Sequence, residues 1–66
     1  MLHDTKNFHH IDGSKVVELR EGTGGRGEPV WFVTTRIDML EGTYKNYHSE
    51  RFTCFSEAVV WFDDIG

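Results

Sequence analysis

PVWFVTTRI, residues 29–37, is the densest run of aromatic and β-branched side chains in the chain. These residue types pack well on a pleated surface, and the stretch reads as a strand. Alternation with period two puts Trp31, Val33, Thr35 and Ile37 on one face and Val30, Phe32, Thr34 and Arg36 on the other, so both faces carry apolar matter. A strand with two faces to hide belongs in the middle of a sheet. The remaining apolar residues then fall into flanking strands and a closing helix. The expected class is α+β, an antiparallel meander of three to four strands with one C-terminal helix packed on one face.

Upstream, residues 15–21 form the next strand, with Val17 and Leu19 inward and Val16, Glu18 and Arg20 on the other side. The glycines that follow, GTGGRG at 22–27, match G-x-G-x-x-G, the pattern that cradles a dinucleotide pyrophosphate. That motif must open a helix inside a βαβ unit, whereas Glu28 and Pro29 lead here straight into another strand. Residues 22–28 are therefore expected to be a mobile hairpin loop, with Arg26 at its tip as a contact residue. Asp12 and Gly13 have the composition of a two-residue hairpin turn between NFHHI and SKVVEL. This turn would set Ile11 opposite Ser14 and Phe8 opposite Val17, with Phe8, Val17 and Leu19 on one face. KNFHHI has weak β propensity, which leaves residues 6–11 open between strand and irregular chain. Residues 1–7 are polar and unpatterned and are expected to fray.

Downstream of the central strand, Leu40, Glu41, Gly42 and Thr43 suit a tight turn. Tyr44 and Tyr47 are three apart and would point to opposite faces of a regular strand, so a bulge near Asn46 is expected to restore the phase. The last helix starts either near Ser49 or at Ser56. RFTCF is poor helix material, which favours a strand through residues 52–54 and Ser56 as the N-cap. At about 100° per residue, Phe55, Ala58, Val59, Phe62 and Ile65 share the buried arc. Glu57, Val60 and Asp64 face outward, with Trp61 at the edge.

Sixty-six residues make a single domain, 1–66, and a chain this short buries only about 60% of the surface its unfolded form exposes. Five Phe, two Trp and two Tyr supply the apolar area that a core of this size needs. The single cysteine, Cys54, rules out an internal disulfide and suits a reducing compartment. The first twenty residues hold no apolar run resembling a signal peptide or membrane span. The expected location is the cytoplasm. Seven basic and eleven acidic residues leave a formal charge of −4, which opposes non-specific attraction to nucleic acid or anionic membranes and favours a protein partner.

No constellation of catalytic residues emerges. Adjacent residues on a strand point to opposite faces, so His9 and His10 cannot both ligate one ion, and no Cys or His spacing resembles a zinc module. Cys54, set between aromatic neighbours, reads as a small buried hydrophobe with no base at hand. Neither cofactor, metal nor enzymatic activity is expected, and the chain reads as a binding module, a small regulator or inhibitor of a larger protein. A phage or mobile-element origin would suit such a chain.

Three surfaces qualify for contact. The outer side of the last helix carries Trp61 and Val60, rimmed by Glu57, Asp63 and Asp64. These last two stand in the final turn, where the helix macrodipole disfavours carboxylates. They serve either solubility at a chain end or a charged rim around an aromatic anchor. The sheet face opposite the helix, with Val16, Val30, Phe32 and Arg36, is the second, and a second copy of the chain is one candidate cover for it. The third is the loop with Arg26. The alternative function is single-stranded nucleic-acid binding, in which Arg20, Arg26, Arg36, Lys45 and Arg51 interleave with Phe32, Tyr44 and Tyr47 on the sheet.

Overall fold

The computed structural model describes residues 1–65. Four strands, β1 (Leu2–His10), β2 (Gly13–Thr23), β3 (Pro29–Met39) and β4 (Tyr44–Phe52), form an antiparallel sheet in chain order, and α1 (Phe55–Asp64) packs on one face. The fold is α+β. PVWFVTTRI lies inside β3, which pairs with β2 along residues 13–23 and with β4 on its other edge.

Period two explains which residues meet the helix. Val17 and Leu19 of β2 and Val33 of β3 point to α1 and are buried with its Ala58 and Phe62, while Phe8, Trp31, Phe52, Val59 and Ile65 close the sides. Fully burying such a side chain stabilises by about 1.5–3 kcal/mol, so a handful of them supports most of a domain this small. Phe55 sits at the rim of the arc rather than within it: it is 43% exposed, with its ring 5.6 Å from Trp31 and 5.5 Å from His3.

Residues 1–7 are not frayed. The Met1 ammonium donates to the Glu21 carbonyl at 2.6 Å, the Glu21 amide donates back to Met1 at 2.7 Å, and His3 Nε2 lies 2.8 Å from Glu21 Oε1. Pairing with β2 overrides the weak propensity of this segment. The hairpin turn is Ile11–Asp12, closed by His10 opposite Gly13, so Phe8 faces Lys15 instead of Val17. A slip of two residues keeps the face, which is why Phe8 still reaches the core. Gly13 serves as a point of close approach, since a Cβ there would collide with the Asp38 carbonyl of β3.

The glycine-rich loop is shorter than residues 22–28, because Gly22 and Thr23 remain in β2 opposite Val30 and Pro29. The Phe32 ring lies over Gly22, where a Cβ would come within 3.0 Å of it, so that glycine is a packing position. The loop is tied across its base by Gly24 N to Glu28 O at 2.7 Å and by Arg26 N to Glu28 Oε2 at 3.0 Å.

Asn46 adopts φ 57°, and between Thr35–His48 and Ile37–Lys45 the β3–β4 register gains one residue on β4. This bulge brings Tyr44 and Tyr47 to the same face, their ring centroids 6.1 Å apart. β4 ends at Phe52, and α1 begins at Phe55 with Cys54 at the N-cap. Ser56 lies inside the first turn and does not cap. The helix starts without a side-chain cap, the Cys54 carbonyl accepting from Ala58 N at 3.2 Å.

Candidate functional site

α1 has ten residues, about 15 Å of helix, laid over eleven-residue strands about 36 Å long. It starts beside Trp31 and His3 and reaches Phe62, whose ring lies 4.7 Å from Lys6 Nζ. Its last turn carries no basic residue. The cation comes instead from β1, where Lys6 Nζ donates to the Ile65 carbonyl at 2.7 Å. A lysine from the first strand, four strands back in the sequence, thus meets the negative end of the macrodipole and offsets Asp63 and Asp64.

With Ala58 and Phe62 turned into the core, the helical phase leaves Val60 and Trp61 outside, 58% and 47% exposed. Trp61 leans on Phe52, the last residue of β4, with ring centroids 5.6 Å apart and planes tilted by 55°. Phe52, Ser56, Glu57, Val60 and Trp61 line a cleft of about 360 Å³ between helix and sheet edge. On the other side of the indole, Trp61, Asp64 and Ile65 line a second hollow of about 240 Å³. Trp61 is therefore a ridge between two depressions, each bordered by one carboxylate, Glu57 or Asp64. Of the expected rim, Asp63 is exposed but lines neither depression.

The face opposite the helix departs from expectation. Val16 and Val30 are 7% and 1% exposed, so neither offers surface to a partner. Their cover comes from side chains on the same face. Phe32 spreads over Gly22 beside Val30, and Val16 stands across from Arg36 in a network of charges. Glu18 accepts from Arg20 Nη2 at 3.1 Å and Arg36 Nη1 at 2.9 Å, while Arg36 Nε donates to Asp38 Oδ1 at 2.7 Å. Burial pushes the Glu18 carboxyl up, but the hydrogen bonds and charges of the two guanidinium groups outweigh it and hold it below its ordinary value. Asp38, opposed by burial and aided by Glu18, raises Arg36. Sequence reading missed this network because strand-to-strand pairing, which it lacked, decides which charges meet.

Of the basic residues, Arg20, Arg36 and Arg51 share the open face with Phe32, Tyr44 and Tyr47, and Arg20 and Arg51 flank Phe32 in register, but ion pairs occupy them. Arg20 and Arg36 are engaged by Glu18 and Asp38, Arg51 Nη2 lies 4.0 Å from Glu28 Oε1, and Arg26 sits in the loop. Lys45 faces the helix side, where it lines a hollow with His10, Ile37 and Met39. His9 and His10 fall on opposite faces, and among the described residues no group of three or more His, Cys, Asp or Glu converges.

Cys54 is exposed and not a buried hydrophobe, because the chain turns outward between β4 and α1. The Ser56 hydroxyl, 3.1 Å from its sulfur, and the first-turn amides of Glu57 and Ser56 hold the thiol below its usual value. Among the described residues, no helix is long and apolar enough to cross a membrane. No family model matches the chain, and no curated protein or solved structure is significantly similar to it.

Proposed function

We propose that the chain is a non-enzymatic protein-binding module, a small regulator or inhibitor that grips a larger protein through the outer side of α1. The observation that carries this reading is the Trp61 ridge. Trp61 packs part of its ring on Phe52, yet nearly half of the indole stays exposed beside an exposed valine, flanked by two clefts and bordered by Glu57 and Asp64, on a helix already anchored by Ala58 and Phe62. Large aromatics that fill or flank pockets dominate binding energy at protein interfaces. The acidic border calls for a basic partner surface with an apolar anchor beside Trp61. An exposed unpaired thiol fits a reducing compartment such as the cytoplasm.

The test is capture from host lysate by tagged chain, with nuclease treatment, set against the variant Val60→Lys with Asp64→Lys. Both positions are exposed, so stability should stay within about 0.5 kcal/mol of the parent. Binding of the captured protein should fall at least about tenfold, a loss of about 1.4 kcal/mol. Unchanged binding with unchanged stability removes the helix from consideration.

Single-stranded nucleic-acid binding keeps two supporting observations on the open face: the exposed pair Tyr44 and Tyr47, where bases would stack, and Arg20 and Arg51 on either side of Phe32. The formal charge of −4 and the engagement of Arg20 and Arg36 weigh against it. Salt separates the two: phosphate contacts lose affinity steeply as salt rises, while an aromatic-centred protein contact changes little.

A further inference from the structure

We propose that β1 is a dimerisation edge, across which a second copy of the chain adds its own β1 antiparallel, Asn7 facing Asn7 on a two-fold axis, to make one eight-stranded sheet. The inference is independent of the Trp61 surface.

The two free edges of the sheet are not alike. β4 is broken by the Asn46 bulge, which twists that edge away from further pairing. β1 has a register irregularity of its own between Leu2 and Asp4, but from Asp4 to His10, the stretch a second copy would use, it pairs regularly and contains no proline. Its lysine, the usual guard of such an edge, is drawn aside, with Lys6 Nζ on the Ile65 carbonyl and over the Phe62 ring.

The direction of each backbone group follows from the pairing. The Thr5 amide donates to its own Asp4 carboxylate at 2.8 Å and so points away from β2. In an antiparallel pair the bonded and non-bonded positions alternate, which turns Asn7 and His9 outward as well. The hairpin confirms the phase, since His10 and Gly13 close a two-residue turn and must bond each other. Thr5, Asn7 and His9 thus offer unpaired main-chain groups at alternate positions.

A two-fold at Asn7 is the register that uses all three, setting Thr5 opposite His9 of the second copy and forming about six main-chain hydrogen bonds. The side chains agree with it. Asp4 falls opposite His10 of the second copy, where the carboxylate accepts from the imidazole, and Lys6 falls opposite Phe8. Both are non-bonded positions, where cross-strand side chains come closest. Thr5 loses its Asp4 cap on pairing, and Asp4 gains the histidine in exchange. Phe8 is half-buried in the single chain, and the α1 backbone approaches β2, β3 and β4 while β1 meets the helix through side chains such as those of Lys6 and His3, so the outer edge of β1 stays open. Such a two-fold runs perpendicular to the sheet, so both helices lie on one side and both Trp61 ridges, next to β4, stay open.

Sedimentation velocity of the full chain between about 1 and 100 µM tests the proposal. A dimer is expected, and Asn7→Lys, which sets like charges opposite each other, should weaken it at least about tenfold. Asp4→His and His10→Asp should each weaken it, and the two together should restore it, because the pair re-forms with its ends exchanged. Hydrogen exchange needs no variant: the Asn7 and His9 amides should slow as concentration rises through the dimer range. Should Asn7→Lys fail to fold, the charge swap and the exchange rates decide. A monomer throughout, or a dimer indifferent to Asn7→Lys and to the swap, overturns the proposal.

Discussion

Replacing Lys6 with methionine should cost the domain about 1–2 kcal/mol although Lys6 lies on an edge strand. Methionine keeps most of the stem over Phe62 and removes only the ammonium. That ammonium donates to the Ile65 carbonyl at 2.7 Å and stands 4.7 Å from the Phe62 ring centroid. A cation at a helix C-terminus is worth about 0.3–1 kcal/mol and a partly exposed cation–π contact about 0.5–1 kcal/mol. A hydrogen bond from a charged group sits at or above these values, but all three are facets of one contact and do not add in full. Losing the ammonium also leaves Asp63 and Asp64 at the end of a helix whose last turn has no basic residue. In a domain of this size a loss of about 1 kcal/mol lowers Tm by about 4–8 °C. Urea unfolding is the cleaner assay, since the midpoint should fall while the m-value stays constant, and high salt should shrink the difference. A loss below about 0.3 kcal/mol would refute the idea that β1 supplies the missing charge of α1.

Glu18→Gln should destabilise by about 1–3 kcal/mol at neutral pH by leaving Arg20 and Arg36 without their shared carboxylate. Because the fold holds this group below its ordinary value of 4.5, its contribution is present above that pH and is lost as pH falls through the lower folded value. Parent and variant unfolding curves should therefore converge in acid, and a gap that persists there would contradict the network. Asn46→Val should cost about 1–2 kcal/mol, since a β-branched residue resists positive φ, while Asn46→Gly should be neutral or stabilising; equal melting temperatures would remove the bulge.

Much of the fold was legible because side-chain period reports directly on faces. β3, the inward pair Val17 and Leu19, the bulge that reconciles Tyr44 with Tyr47, and the outward position of Val60 all follow from counting residues at two or 3.6 per repeat. What counting misses is decided by partners distant in sequence. Residues 1–7 have no strand signal of their own and are held by Glu21 and the rest of β2. Gly13 looked like a turn glycine, yet its need for glycine comes from Asp38 on β3. The burial of Val16 and Val30 depends on Arg36, Phe32 and Gly22 from paired strands. The candidate site was readable for a related reason: Val60 and Trp61 are outward by helical phase alone. That Phe52 would support the indole required the end of β4 to meet the helix. Cys54 was misread because a turn, not a strand, separates β4 from α1.

Hydrogen exchange on the chain with its captured partner bound tests the assignment of the Trp61 surface most directly. Slowed exchange or shifted amide resonances confined to Phe52 and the helix from Ser56 to Asp64, on a sheet otherwise unchanged, is the result predicted. Protection centred on Phe32, Tyr44, Tyr47 and Ser49, with the helix amides as in the free chain, would contradict it and place the partner on the opposite face.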